Sequence, residues 1–454
     1  MGVLAKAGLF VSLVLGFSAV APAGAFAWSG PCEIDTSVKA FSKLNTWSKQ
    51  TGMCAGPVAV KKVTTVVGAP KTTLSPEANL LSAEACKISD GQRSGIRAFP
   101  KYQIDAPHPS ASTRYLFLPF VSQDLPQKQS PWSGYSQYFN FLKDWMTYIN
   151  ESDARQQFTF ERTAVKLPFA VGPYKINHDN DKDGATSNKS FGRKFISEVD
   201  SQIDFSKFDV VLVIPPAGSP RGVFELGFLG THTVDGNRVV FMSVPPATYT
   251  TQFVPHFPMI TPLNWMHELH HAGGYTLQHH TGNEYWQNNR GSNPNFPGLG
   301  EWGLMNHSKT DLLGWEKWLI GYSKDSQVSC IDPTKETKVW LRPSGIRTDA
   351  KKLAVVPISS TKVVVLESMR AVGLNYKLGK PSQGLLIWTV DTTDPRESYG
   401  VEMVTPANRI LTKTPFVYYD APLKKGEQVK VEGLTIKVLE AGKFGDVFSV
   451  SKIN

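Results

Sequence analysis

Two histidines and a glutamate between residues 267 and 271 have the types and spacing of a metal-binding, water-activating site. His267 and His271 are separated by three residues, so on a helix both imidazoles lie one turn apart and can reach a single ion. Glu268 lies beside the first histidine, where a carboxylate can take a proton from a metal-activated water and pass it to a leaving amine. The pattern predicts His267 and His271 as Zn²⁺ ligands and Glu268 as the general base.

The residues around this motif indicate a short amphipathic helix that would position it. Thr261-Pro262 is a helix-start signal, with a threonine cap followed by proline in the first turn. Gly273-Gly274 is a helix-stop signal. Trp265, Leu269 and Ala272 recur at helical spacing and form one apolar face, which leaves the two histidines on the other side.

The third zinc ligand departs from the pattern of metzincin-type sites. In those sites a ligand follows three residues after a glycine, and here Gly274 is in place but position 277 is a leucine. Leu277 has no metal-binding group, so a longer turn must supply the ligand. We expect His280 to fill this role, with His279 and Glu284 as the alternatives.

A second metal site is predicted at residues 179–184. Asp179, Asp181 and Asp183 alternate along the chain and Gly184 follows, as in the first half of an EF-hand loop that presents oxygens to Ca²⁺. The twelfth position is Ser190 and not glutamate, so a complete EF-hand is excluded. The alternative is a solvated acidic turn, because Asp, Asn and Gly all favour turns.

Several segments together resemble the immune inhibitor A-like family of secreted bacterial zinc metallopeptidases. The likeness is carried by the zinc helix, by Gly-Glu-Trp-Gly-Leu-Met-Asn at residues 300–306 and by Leu-Leu-Gly-Trp-Glu-Lys-Trp-Leu-Ile-Gly at residues 312–321. Residues 363–370 and 383–391 are similar to later segments of that family. The resemblance spans roughly residues 113–450, and it implies that Met305 is the methionine beneath the metal. The family often has an acidic residue where this chain has Leu277.

The predicted fold class is α+β (mixed α/β), with a metzincin-like zinc peptidase domain followed by an all-β sandwich-like C-terminal domain. We divide the chain into a signal peptide (1–27), an N-terminal region or propeptide (28–112), a catalytic domain (113–332) and a β-rich domain (333–454). Hydrophobic periodicity predicts helices at 135–148 and 190–203 and strands at 114–121, 158–167, 208–214 and 238–244. Beyond residue 333 it predicts strands at 338–341, 353–357, 362–366, 384–390, 416–419, 428–438 and 447–450.

The first 27 residues predict export of the protein. Lys6 precedes an apolar core, and Ala25-Phe26-Ala27 has the small-x-small pattern of a cleavage site. A membrane anchor is the alternative, but Pro22 and the lack of basic residues after Trp28 argue against it. We therefore predict a secreted, extracellular protein without stable membrane insertion after cleavage.

Four cysteines are present, an even number that in an exported chain indicates two disulfides. We expect Cys32–Cys54, which closes a local loop, and Cys86–Cys330, which ties the N-terminal segment to the main body. A free cysteine that blocks the zinc in a latent zymogen is the alternative, and it would leave an odd thiol.

Charge and motifs together define the predicted partner and activity. The formal net charge is +9, but no Lys/Arg cluster is dense enough for nucleic-acid binding. We predict a zinc-dependent endopeptidase that hydrolyses protein or peptide substrates. The alternative is a weak or inactive peptidase-fold protein that serves as an extracellular binding module, and an amidase acting on cell-wall peptides would differ only in substrate.

Overall fold

A computed structural model of the chain describes much of residues 66–244 and most of residues 311–453. The described residues are 47–48, 53–54, 66–89, 98–99, 113–126, 136–153, 156–177, 184–216, 218–220, 222–225, 227–244, 299, 302–304, 311–375, 378, 380–393, 400–407, 409, 418 and 420–453. The first two strands, β1 (Trp47–Ser48) and β2 (Met53–Cys54), form a short antiparallel pair. The predicted signal peptide, residues 179–183 of the predicted calcium loop and the predicted zinc helix lie outside the described residues.

A mixed sheet forms the centre of the first half of the chain. Its strand order is β5-β4-β7-β9-β8, and β6 also pairs with β4. The strands are parallel except for the antiparallel β8–β9 hairpin. Their bounds are β4 (Arg114–Val121), β5 (Gln157–Phe160), β6 (Val165–Lys166), β7 (Val210–Ile214), β8 (Gly227–Val234) and β9 (Asn237–Ser243).

The first half of the chain also contains two helices, α1 (Ser136–Ile149) and α2 (Asn188–Val199). The α2 helix begins after Ser187, whose hydroxyl accepts the backbone N–H of Ser190 at 3.1 Å and so caps the helix. Phe191, Phe195 and Val199 follow one another at intervals of four residues and share one buried face of α2. These residues pack into one core with alternate residues of β4 and β7, namely Leu116, Leu118, Phe120, Val211 and Val213.

Two antiparallel-rich sheets make up most of the second half. The larger has the order β15-β14-β13-β12-β10-β3, in which only the β10–β12 pair is parallel. The smaller is antiparallel throughout and has the order β11-β18-β17-β16. The bounds are β3 (Leu80–Leu81), β10 (Val328–Ile331), β11 (Thr337–Leu341), β12 (Leu353–Pro357), β13 (Lys362–Met369), β14 (Gly384–Asp391), β15 (Val401–Val404), β16 (Gln428–Val431), β17 (Leu434–Gly442) and β18 (Gly445–Lys452).

The larger sheet is buried on both faces. One face shares a core with the smaller sheet, to which Val364 and Leu366 of β13 contribute. The opposite face, which includes Val363 and Val365, packs against the helix α3 (Gly314–Leu319). Because side chains alternate along a strand, Glu367 is in phase with Val363 and Val365 and belongs to the α3 side.

The described N-terminal residues are part of this second half. Strand β3 pairs with the edge strand β10, and the disulfide Cys86–Cys330 links the two segments covalently. Phe99 contacts the rings of Trp315 and Trp318 of α3 with centroid distances of 5.5 and 4.8 Å. This disulfide confirms the prediction for Cys86–Cys330, whereas the Cys32–Cys54 prediction falls outside the described side chains.

The described residues have a mixed α/β structure with more sheet than helix, which confirms the coarse α+β prediction. The predicted strands 114–121 and 353–357 have the predicted bounds, and α2 begins two residues earlier than predicted and ends four residues earlier. The predicted single strands 158–167 and 428–438 are each two strands. In the second case Glu432 and Gly433 both have positive φ, 48° and 74°, as in a tight two-residue hairpin turn. Among the described residues no helix is long and apolar enough to cross a membrane.

Candidate functional site

The residues of the two predicted metal sites lie outside the described residues, so they stay predictions. They are the zinc-site residues His267, Glu268, His271, His279, His280 and Glu284, the methionine Met305, and the calcium-loop residues Asp179, Asp181 and Asp183. Within the described part of the chain, no three His, Cys, Asp or Glu side chains are grouped so that they could hold a metal ion. The structure does describe the chain on both sides of Met305.

Residues 302–304, immediately before Met305, are held in the core. Trp302 is fully buried, and its indole N–H donates to the carbonyl oxygen of Tyr418 at 3.0 Å. The backbone N–H of Leu304 donates to the carbonyl oxygen of Asp311 at 3.2 Å, which ties this segment to the chain that leads into α3. The segment before Met305 is therefore fixed by both a side chain and the backbone.

Two buried glutamates hold the first turn of α3. The carboxylate of Glu316 accepts the backbone N–H of Leu313 at 2.6 Å, in the manner of the second half of a capping box. The carboxylate of Glu367, on β13, accepts the backbone N–H of Gly314 at 3.1 Å. Together they satisfy two N–H groups at a helix start, which no earlier turn of the helix can satisfy.

Two ion pairs lie close to these glutamates. Lys317 of α3 pairs with Asp311, and Lys352 pairs with Glu151, which lies just beyond α1. Glu151 also accepts the side-chain amide of Gln327 at 2.8 Å and the backbone N–H of Thr348 at 3.0 Å. This arrangement satisfies a buried carboxylate with both charge and hydrogen bonds, which is the condition for tolerating a buried charge.

Burial dominates the acid–base behaviour of this region. Burial raises the pKa of Glu316 to about 8, in opposition to the backbone N–H of Leu313, and the charge of Glu367 adds to the rise. Burial likewise raises the pKa of Glu367 to about 7, although the charge of Lys317 acts in the other direction. For Lys317, burial alone would lower the pKa, but the adjacent carboxylate of Asp311 and its other acidic neighbours together raise it, so this lysine stays charged.

Tyr322, just beyond the end of α3, lies in the core. It is 3% exposed, and its hydroxyl accepts the side-chain amide of Gln156. Burial, followed by the neighbouring Tyr115, raises its pKa well above the usual value. Its backbone carbonyl accepts the N–H of Glu151 at 2.8 Å, so Tyr322 joins the two halves of the chain.

The buried ionisable residues around α3 were not predicted from the sequence. A signal was present, because Glu316 and Lys317 stand between Trp315 and Trp318 and Glu367 ends the apolar run 363–366. Charges inside apolar segments predict paired or protonated groups in the core. Their partners could not be inferred, because they come from segments far apart in the chain.

Neither a protein-family model nor a curated protein matches the chain.

Proposed function

We propose that this protein is a secreted zinc-dependent endopeptidase of the immune inhibitor A-like type. The observation that carries the proposal is the spacing of His267, Glu268 and His271 in a segment whose flanking residues are helix start and stop signals. The donor set fits zinc, because two neutral imidazoles one turn apart are common ligands of this ion. The packing of residues 302–304 supports the proposal, since the segment that leads into Met305 has a fixed position in the core.

The chemistry assigned to the chain is that of a general acid–base catalyst. Zinc, when bound, would supply a Lewis acid that polarises a water molecule and the scissile carbonyl. The imidazoles of His267 and His271 would hold the ion, and the carboxylate of Glu268 would accept a proton from the attacking water. Glu268 would then give this proton to the leaving amine nitrogen, which completes the cleavage of the peptide bond.

Casein hydrolysis by the mature protein tests this proposal. We expect the wild type to cleave casein and to lose this activity with a zinc chelator. The Glu268→Gln variant removes the base without a change of size, so we expect its rate to fall by about 10²–10⁴-fold. Glu336→Gln is the matched control, because Glu336 is exposed. Equal rates of casein hydrolysis by the Glu268→Gln variant and the wild type would contradict the proposal.

A binding protein on a peptidase fold is the second candidate, and the leucine at position 277 favours it. A site that lacks its third ligand would hold zinc weakly and activate water poorly. For this candidate we expect intact wild-type protein that leaves casein uncut at every zinc concentration. Cleavage by the wild type that depends on Glu268 excludes it.

A further inference from the structure

Six ionisable side chains are buried together around the start of α3. None of them is more than 7% exposed, and the group consists of the acids Glu151, Asp311, Glu316 and Glu367 and the lysines Lys317 and Lys352. Within the described residues the acids of this group outnumber the lysines by four to two. A buried group of like charges is costly, so such an excess of acids favours the binding of protons.

The lysines are engaged by two of the four acids. Lys317 pairs with Asp311 and Lys352 with Glu151, and both pairs are buried. Glu316 and Glu367 each accept a backbone N–H at the start of α3, a bond that the carbonyl oxygen of a neutral carboxylic acid can also accept. The second carboxyl oxygen of Glu367 has no hydrogen-bond partner in the part of the chain that the structure describes. An ionised oxygen in that position would cost more than a neutral one.

Glu316 and Glu367 each lie close to a glycine, and Gly303, beside Glu316, belongs to the segment before Met305. A Cβ atom on Gly303 would lie 3.2 Å from Cγ of Leu313 and 3.6 Å from Oε2 of Glu316, so residue 303 faces Leu313 and this carboxyl group with little space for a side chain. On the other side, a Cβ atom on Gly314 would lie 3.2 Å from Oε2 of Glu367. Both glycines let the backbone approach the carboxyl groups closely.

We propose that Glu316 and Glu367 are positioning residues for the proposed zinc site. As two neutral carboxylic acids they fix the start of α3, and the hydrogen bond from the N–H of Leu304 to the carbonyl oxygen of Asp311 ties residues 302–304 to this region. The inference rests on the proposed function, because Met305 follows this segment directly. Neither glutamate is assigned a contact with substrate or metal.

A dependence on pH follows from the environment of the two glutamates. The charged groups that act on them, besides each other, are Asp311 just before α3, Lys317 of α3 and Lys352 just before β12. In the folded protein, burial raises the pKa of Glu316 to about 8 and that of Glu367 to about 7, against 4.5 for an ordinary glutamate.

The direction in which pH changes the stability depends on whether the folded or the unfolded state binds more protons. Between the ordinary glutamate pKa of 4.5 and the raised value of about 8, the folded state holds protons that the unfolded state has released. The stability contributed by these protons is complete below the ordinary value and is lost as the pH rises through the raised values. We therefore expect residues 302–304 to loosen on the alkaline side of neutrality.

The test compares the wild type with Glu316→Gln, Glu367→Gln and the double variant. Glutamine keeps the shape and the acceptor oxygen of the neutral acid but has no proton to lose. We expect the midpoint temperature of unfolding of the wild type to decrease as the pH is raised from about 6 to about 9. The double variant should show a smaller decrease over the same pH range. Glu336→Gln, which changes an exposed glutamate, should follow the wild-type profile.

The positioning role has its own readout in casein hydrolysis. We expect kcat of the wild type to fall in the alkaline range by up to about tenfold per pH unit while KM holds, and the double variant to keep its kcat there. Identical pH profiles for the wild type and the double variant would overturn the proposal. So would a double variant that is unfolded at about pH 6, because there glutamine only replaces a neutral acid. Activity that persists in the Glu268→Gln variant would instead contradict the proposed function. In that case the thermal unfolding profiles of the wild type and the double variant would still show whether Glu316 and Glu367 are neutral in the folded protein.

Discussion

Glu151 connects the two halves of the described structure through a single side chain. It lies just after α1, yet its carboxylate receives Lys352, Gln327 and the backbone N–H of Thr348 from the second half. Both members of the ion pair are buried, so the attraction between them is scarcely weakened by water. The loss of one partner would leave the other as an uncompensated charge in the core.

We predict that Glu151→Ala lowers the free energy of unfolding by about 3–5 kcal/mol, as expected for a broken buried ion pair. The control is Asp153→Ala two residues later, where the acid is 95% exposed and its pair with Lys324 is on the surface. This control should change the stability by less than about 1 kcal/mol. Urea unfolding of both variants measures the difference. Equal losses of unfolding free energy would show that the buried ion pair stabilises the protein no more than the surface pair does.

The sequence predicted the chemistry of single residues only where the relevant residues are neighbours in the chain. His267, Glu268 and His271 form a local pattern, so a zinc site could be predicted from spacing. The charged group around α3 is assembled from residues 151, 311–317, 352 and 367, and no local pattern indicates which of them meet. Pairing of this kind depends on tertiary structure.

Close packing of α2 on β8 depends on Gly192. A Cβ atom at this position would overlap the backbone carbonyl oxygen of Leu229, which cannot move without a shift of the strand. Phe191 and Phe195 on the same helix are fully buried, so α2 cannot move outward without opening the core.

We expect Gly192→Ala to destabilise the protein by about 1–3 kcal/mol, the range for an overpacked core. The higher helix propensity of alanine would add at most about 1 kcal/mol in the other direction, so the overlap decides the sign. Gly218→Ala is the control, because a Cβ atom there would meet nothing within 4 Å. Thermal unfolding compares the two, and a stabilised Gly192→Ala variant would contradict the packing argument.

Helices and strands with a clear hydrophobic pattern were predicted well from the sequence, whereas turns were predicted poorly. The apolar runs 114–121 and 353–357 gave β4 and β12 directly, because full burial of a strand requires such runs. Strand β8 was not predicted, although the sequence contains a hairpin-turn signal after it. Asp235-Gly236, with φ values of 50° and 74°, forms the tight turn between β8 and β9. Gly227 and Gly230 interrupt the apolar pattern of β8, and this interruption concealed the strand.

The covalent link between Cys86 and Cys330 spans 244 residues and joins the N-terminal segment to the edge of the larger sheet. The same segment is held by the β3–β10 pairing and by the ion pair of Lys87 with Asp325 at 3.0 Å. The even cysteine count allowed the disulfide to be predicted. The strand pairing beside it could not be predicted, because the two residues of β3 carry no periodic signal.

We predict that the Cys86→Ser, Cys330→Ser double variant loses about 2–5 kcal/mol of unfolding free energy, because the disulfide closes a long loop in the unfolded chain. Urea unfolding with and without reductant measures this loss. Reduced wild type should match the double variant, and the variant itself should not respond to reductant. An unchanged unfolding midpoint in the double variant would show that the noncovalent contacts of this segment suffice.

The zinc content of the purified mature protein tests the central claim most directly. The account predicts about one tightly bound zinc ion per wild-type chain after dialysis, and none in the His267→Ala, His271→Ala double variant. A His232→Ala control changes a histidine whose ring nitrogen contacts the carbonyl oxygen of Leu229 at 3.1 Å, and it should keep the zinc. Wild-type protein that binds no zinc, or a double variant that retains it, would contradict the account.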